Sequence, residues 1–335
     1  MADYKAIKGH TIETVAGDPG VLQAGDIWYS NTTRKIRVGK TQAAAWASGG
    51  NLNQAAYARS AAGTQTSALA FGGQSPPSQS PRIRGETETY DGSSWTEVAD
   101  LTTDRPALGG CGTQTAGFAV GGHSGTASIA NAETWNGASW TEVGDLNTAG
   151  HAIGTEGTTT AALRFGGQLA PAPAPAATDI AELWDGSSWT EGVDLNSGRH
   201  SLAGAGTSTA TIAFGGDEAP PSVGKAETWD GSSWTEVADL NTARSVFGGA
   251  GTQTLAIGMA GTNSGLTPSI LKVVELWDGT SWTETTDMST ARYGTAGAGT
   301  QPSALVLAGY DNSSWFNNTE EWTGAYVAAS SMTSS

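Results

Sequence analysis

The sequence predicts an all-β protein, a six-bladed β-propeller of four-stranded antiparallel blades behind a short N-terminal β-hairpin module. Three observations predict it. One block recurs six times, and the tryptophans Trp95, Trp140, Trp189, Trp234 and Trp282 within it lie 45, 49, 45 and 48 residues apart. That is the spacing of propeller blades. An Asp-Gly or Asn-Gly pair stands inside five copies, the strongest short hairpin signal because both central residues of the favoured turn need φ > 0. Side chains also grow along each copy, from Gly, Ala, Ser and Thr at its start to Trp at its end.

Each unit reads as four strands. The first is the stretch before GTQ, such as RSVFGGAG. The second is the apolar run ending in a glycine pair, as in GTQTSALAFGG with Gly72 and Gly73. The third and fourth come from GETETYDGSSWTEVADL, NAETWNGASWTEVGDL, IAELWDGSSWTEGVDL, KAETWDGSSWTEVADL and VVELWDGTSWTETTDM, with a degraded sixth copy, NTEEWTGAYVAASSM. Inner strands crowd round an axis and leave room only for small residues, whereas blades diverge outward and large rings fill the widening wedge. Trp95, Trp140, Trp189, Trp234 and Trp282 are therefore expected in the core, each ring contributing roughly 2–3 kcal/mol.

The repeats span residues 51–335 as one propeller domain, and residues 1–50 form a separate anchoring module. In that module VLQAGDIWYSNTTRKIRVGK reads as a hairpin with an Asn-Thr-Thr turn. AAAWASGGNLN then echoes the end of a repeat, with Trp46 at a fourth-strand position. Two segments compete to close the ring, the one around Trp46 and residues 326–332.

The glycine pair after the second strand, the aromatic on the third and the Trp opening the fourth resemble the kelch repeat. The departures are Trp in place of Tyr on five third strands, and Ala260–Gly261 and Ala308–Gly309 for the last two glycine pairs. The GDIWYSNTTRKIRV hairpin resembles modules that precede repeats in tailed-bacteriophage virion proteins. The DGSSWTE arrays resemble structural proteins of marine phages. The resemblance implies a virion structural protein assembled in the host cytoplasm. Its propeller would act as an attachment head, a tail fibre or adhesin, towards a host surface glycan or protein. The N-terminal module would join other virion proteins, with the chain forming a homo-oligomer on the particle. A capsid-decoration or tail-assembly role without host binding, or a cellular kelch-type interaction scaffold, are the alternatives.

Composition narrows the partners. Net charge is −16, yet residues 1–50 are about +2. An acidic body repels nucleic-acid phosphate and anionic lipid, so neither nucleic acid nor membrane insertion is expected. No secretory leader or long apolar run is visible. No cofactor, metal or catalytic group is expected, and the chain reads as a non-enzyme. His10, His123, His151 and His200 lack metal-ligand spacing, and the lone Cys111 reads as a small buried residue.

Two charges recur. Glu88, Glu133, Glu182, Glu227, Glu275 and Glu320 share one third-strand position and read as structural. Arg105, Arg199, Arg244 and Arg292 share a position ahead of the first strand, where other copies have Ala56 and Gly150. Arg199, Arg244 and Arg292 read either as a basic ring at the channel mouth, able to hold an acidic group, or as structural residues that satisfy a partner or loop backbone between blades. The loops after the glycine pairs vary from copy to copy, two of them Pro-rich and stiff, and variable loops on a rigid scaffold are where recognition lives. In the sixth loop Tyr310, Trp315 and Phe316 stand among Asp, Asn and Ser, a mixture that suits sugar recognition by stacking and hydrogen bonding; the alternative is that Trp315 and Phe316 cover the seam between the sixth and first blades or a neighbouring subunit.

Overall fold

The computed structural model describes residues 13–170, 176–218, 222–263 and 265–331. Asp3, Lys5, Lys8, His10, the proline-rich 171–175 and residue 332 lie outside the described residues. Every regular element among the described residues is a strand, and seven four-stranded sheets form. The chain divides into two compact units, Met1–Ala45 with Thr323–Ser335, and Trp46–Trp322.

The larger unit carries the repeats and is β-propeller-like. In the first sheet Ser60–Thr64, Ser67–Phe71, Thr87–Tyr90 and Trp95–Glu97 pair antiparallel in sequence order. The next four sheets repeat this pattern. At each tight turn between third and fourth strands an Asx turn does the local work: Asp91 Oδ1 accepts from the Ser93 and Ser94 amides, both at 2.8 Å. Asp185, Asp230 and Asp278 do the same. Hydrogen bonds from the neighbouring hydroxyl and amides pull these four carboxyls down to about 2.

The sixth sheet is assembled from both ends of the chain. Ala296–Thr300, Ser303–Leu307 and Thr319–Thr323 are joined by Ala45–Ser48, which precedes the first repeat. Trp46 takes the repeat-tryptophan position, its ring 5.3 Å from that of Trp322 and its Nε1 donating to Thr286 O at 3.0 Å. Of the two segments left open by the sequence, the one around Trp46 therefore completes this sheet. Tyr326–Ser331 instead pairs antiparallel with Lys35–Gln42, from Gln42↔Tyr326 to Arg37↔Ser331. YVAASS has neither the Trp nor the Thr-Glu pair that the fourth-strand position uses.

First strands neighbour one another in order, and the sixth lies beside the first. Two sets of backbone bonds follow the same cycle. The amides of Ala107, Ala152, Ser201, Val246, Gly294 and Ala58 donate to the carbonyls of Ala58, Ala107, Ala152, Ser201, Val246 and Gly294, at 2.7–3.0 Å. Gly73, Gly122, Gly167, Gly216, Gly261 and Gly309 donate to Arg105, Gly150, Arg199, Arg244, Arg292 and Ala56.

The core fills the wedges between sheets. Phe71 meets Trp140 at 5.0 Å, Phe165 meets Trp234 at 5.5 Å and Phe214 meets Trp282 at 4.8 Å, each pair crossing to the next sheet. Trp95, Trp140, Trp189, Trp234 and Trp282 are 5–7% exposed. On the fourth strands the Thr-Glu that follows the Trp is exposed, and charge on an outer edge discourages pairing with other chains.

In the smaller unit Ile27–Ser30 and Lys35–Gln42 form the hairpin, with Arg34 at φ 54 in its turn. Glu13–Val15 adds in parallel to Ile27–Ser30. Trp28 is buried and donates to Asp18 at 3.2 Å; Arg37 binds the same carboxylate at 3.1 Å and Ala329 O at 2.9 Å.

Removing residues 1–50 deletes the fourth strand of the sixth sheet and is expected to lower the melting temperature of the repeat unit sharply. Removing residues 326–335 leaves all four strands and is expected to change it little. Trp46→Ala, at a half-buried site, is expected to cost about 2 kcal/mol in chemical denaturation. The reverse ranking of the two truncations would contradict this assignment of the closing strand.

Candidate binding face and central cavity

The residues leading into the first strands build one face. Tyr57, His151, His200, Ser245 and Tyr293 each bridge to the first loop residue after a glycine pair, namely Gln74, Gln168, Asp217, Thr262 and Tyr310. The residue after each takes positive φ: Ala58, Ala152, Ser201 and Val246 lie at 52–55°, as does Ala107, and Gly294 at 68°. Such backbone costs a non-glycine residue roughly 1–3 kcal/mol and persists because these residues carry the cyclic hydrogen bonds. Inside this collar lies a cavity of about 310 Å3, and below it a second of about 180 Å3 ringed by Gly63, Gly112, Gly157, Gly206, Gly251 and Gly299. These glycines sit at φ 104–142, a region closed to other residues without strain.

Glu156 lines both cavities. Its counterparts on the other first strands are Ala62, Cys111, Ala205, Ala250 and Ala298. Its carboxyl lies against Gly204, where the absence of a Cβ makes room, and accepts from the Gly206 amide. Glu156 is half-buried by surface area because it faces the void. Burial pushes its carboxyl up to about 8 against the opposing pull of that amide. Burial, then the Glu156 charge, raises the Cys111 thiol, which packs against Phe118 and Ile153.

At the collar His151 and His123 meet edge to face at 4.9 Å. Burial, then His123 and His200, lowers His151 to about 4, so it is neutral at pH 7. Its Nδ1 is 2.8 Å from Ser128 Oγ, but that buried hydroxyl also faces Gln168 O and accepts from the Ala170 amide. This Ser–His contact ties two loops together.

The arginines expected at the channel mouth are elsewhere. Arg105, Arg199, Arg244 and Arg292 are 0% exposed and pair with Glu133, Glu227, Glu275 and Glu320. Holding an external acidic group is therefore corrected for Arg199, Arg244 and Arg292, whose guanidinium groups reach no solvent. The two copies without this arginine supply a guanidinium by other routes. In the first sheet Arg59, three positions later than Ala56, reaches Glu88 at 2.7 Å. In the third, Arg164 on the second strand stands opposite Glu182 and donates to Ile180 O at 3.0 Å. Its guanidinium fills the space where a side chain on Gly150 would begin. Each glutamate also accepts a backbone amide from the preceding link: Asn53 to Glu88, Thr102 to Glu133, Asn147 to Glu182, Asn196 to Glu227, Asn241 to Glu275 and Ser289 to Glu320, at 2.7–2.8 Å.

Tyr310 and Trp315 are partly exposed and in ring contact at 5.2 Å. The structure adds two residues the sequence reading missed. Tyr293 meets Tyr310 at 5.8 Å, and Tyr57 meets Tyr293 at 5.6 Å and Trp315 at 5.9 Å. Phe316 turns the other way, its ring 5.7 Å from the Arg292 guanidinium. Beside the cluster Asn312 to Ser314 form an exposed turn in which Asp311 Oδ1 accepts from the Ser313 and Ser314 amides and Asn312 Oδ1 accepts from Tyr293 OH at 2.8 Å. The signal for Tyr57 and Tyr293 was present: both occupy the repeat position of His151 and His200. No protein-family model matches the chain, and no curated protein matches it significantly.

Three variants test these assignments. Arg244→Ala leaves a buried Glu275 without its cation and is expected to cost roughly 3–5 kcal/mol, partly recovered in Arg244→Met/Glu275→Gln; denaturant melts read both. Burial raises the Glu156 carboxyl from its ordinary 4.5 to about 8 in the folded chain, so the unfolded chain releases its proton first. Stability from this site is therefore lost as pH rises from the lower value to the higher. Glu156→Gln is expected to be more stable than the parent at pH 8, with the difference shrinking towards pH 4.

Proposed function

We propose that the repeat unit is a six-bladed kelch-type β-propeller serving as a non-enzymatic recognition head on a virion, with the N-terminal module joining it to other virion proteins. The observation that carries the recognition reading is the cluster of Tyr57, Tyr293, Tyr310 and Trp315 beside the exposed turn of Asn312, Ser313 and Ser314. Partly exposed rings offer stacking faces, and adjacent amides and hydroxyls offer hydrogen bonds, the combination that suits a sugar. The face is stiff, since the backbone cycle and the loop bridges hold it, so little ordering cost falls on binding. The virion setting rests on the resemblance of the DGSSWTE repeats and the GDIWYSNTTRKIRV hairpin to phage structural proteins.

The test is binding of the isolated protein to host-surface glycans. Each stacked ring contributes roughly 0.5–1.5 kcal/mol beyond area burial, so Tyr310→Ala/Trp315→Ala is expected to weaken binding about tenfold to a hundredfold. Ser313→Trp, on the exposed turn, is expected to block the same face without removing a ring. Unchanged binding by both variants, with intact melting curves, would exclude the patch. No binding of the parent protein to any host surface would move it to the capsid-decoration or tail-assembly class.

A further inference from the structure

A side-chain latch joins neighbouring sheets at four junctions of the repeat unit, and the sequence omits it at the other two. In the tight turn between first and second strands four copies carry a glutamine, Gln65, Gln114, Gln253 and Gln301, where the third and fourth copies carry Thr159 and Ser208. Each glutamine reaches back to the preceding sheet and donates from Nε2 to two backbone carbonyls, one on the second strand and one on the third. The acceptors are Ala304 and Trp322 for Gln65, Ala68 and Tyr90 for Gln114, Thr211 and Trp229 for Gln253, and Ala256 and Trp277 for Gln301, all at 2.5–3.4 Å. The amide oxygens of Gln65 and Gln114 also accept from Ser303 and Ser67 hydroxyls, at 2.7 and 2.9 Å.

Opposite Thr159 the carbonyls at the same register belong to Gly117 and Trp135: Gly117 pairs with Gly112 as Ala68 does with Gly63, and Trp135 with Trp140 as Tyr90 does with Trp95. Thr159 has no amide and is too short to span to them. A recess of about 380 Å3 opens at this junction, with Thr115, Ala116, Thr134, Trp135, Thr159 and Trp184 in its lining. The backbone beneath is the same as in the glutamine copies. Trp184 Nε1 donates to Thr159 O at 2.9 Å, as Trp135 Nε1 does to Gln114 O and Trp277 Nε1 to Gln253 O, both at 3.0 Å. The turn is held in one place throughout, and only the side chain it presents differs. Trp135 and Trp184 are buried, so the recess has a packed floor.

We propose that the recess between the second and third sheets binds a primary carboxamide, which donates its N–H groups to Gly117 O and Trp135 O and takes the place that a glutamine side chain holds at four other junctions. A primary amide brings two donors and an acceptor on one planar group. A carboxylate has no donor and would set its charge against two carbonyl oxygens. An ammonium donates, but no Asp or Glu lines the recess to balance its charge. The hydroxyl supplied by Ser67 and Ser303 is dispensable, since Ala210 and Leu255 stand at that position ahead of Gln253 and Gln301. The carboxamide comes from a free small amide or from a glutamine or asparagine side chain of a partner, two sources of one chemistry. The inference uses no residue of the aromatic cluster, so failure of either reading leaves the other standing.

The experiment is NMR titration of the full chain, read at the indole N–H signals, where Trp135 and Trp184 line the recess and the other tryptophans are internal controls. The titrants are propionamide and Nα-acetyl-glutamine methylamide, with propionate and N,N-dimethylpropionamide as analogues that lack the donors. A ligand this small is expected to bind in the millimolar range. Expected are saturable shifts at Trp135 and Trp184 with at least one primary amide, and at least tenfold weaker binding of both analogues. Thr159→Gln gives the junction its own carboxamide, the residue found at four other turns; it is expected to weaken amide binding at least tenfold and to raise the melting temperature. Ser208→Gln, the same exchange at the next junction, is expected to leave the response at Trp135 unchanged. Binding of the glutamine derivative points to a partner's side chain as the source, and binding of propionamide alone to a free amide; either supports the site. No saturable shift at Trp135 and Trp184 with either amide, equal binding of the analogues, or undiminished binding by a folded Thr159→Gln would overturn it. So would loss of the Trp135 response in Ser208→Gln.

Discussion

Six backbone hydrogen bonds, each from a residue ahead of one first strand to its counterpart in the sheet before, close on themselves through Ala58 and Gly294. The rest of the repeat unit depends on this cycle. It requires positive φ at five non-glycine residues, Val246 among them, and so holds local strain that only the closed arrangement offsets. A cycle has no end to fray, and each bond is geometrically conditional on the others. The contacts that complete it are of kinds used at other junctions. Gln65 donates to Ala304 O and Trp322 O as Gln114 does to Ala68 O and Tyr90 O. Asn53 binds Glu88 as Asn241 binds Glu275.

The buried ion pairs show a constraint on charge rather than on sequence position. A carboxylate taken out of water needs a cation and further hydrogen bonds, or it will not stay ionised. Five glutamates meet an arginine in an ion pair, and Glu182 has Arg164 opposite. The guanidinium comes from three different places in the repeat, yet it binds the same kind of third-strand carbonyl: Glu86 O for Arg59, Ile180 O for Arg164 and Val273 O for Arg244. The pairs are structural, and each glutamate's second oxygen takes the amide that docks the preceding link.

Function on such a frame falls to what breaks the repetition. Glu156 stands where four copies have alanine, and among the described residues no arginine pairs with its carboxyl. Tyr57, Tyr293, Tyr310 and Trp315 gather where the last repeat meets the first, at positions where other copies have no aromatic ring larger than His. Both features face a scaffold whose backbone is satisfied, so their side chains are free of structural duty in a way the repeat tryptophans and arginines are not.

Strand count per repeat, turn chemistry, the small-to-large gradient and the hairpin of residues 27–42 were legible in the chain, because each depends on neighbours close in sequence: Asp-Gly for a tight turn, glycine for positive φ, alternation for a strand. The glutamate row was legible as structural for the same reason, since a charge repeated six times at one register is a property of the repeat. Tertiary structure alone decided the rest. Arg199, Arg244 and Arg292 read either as a rim or as structural partners between blades, and tertiary structure decided for the second, because the depth of a side chain depends on packing between sheets. Tyr326–Ser331 read as a possible closing strand and pairs with Lys35–Gln42, because strand partners distant in sequence are chosen by side-chain fit across a sheet that the chain order does not encode. Tyr57 and Trp315 are far apart in the sequence, yet their rings lie 5.9 Å apart; only closure of the cycle makes neighbours of residues from its two ends.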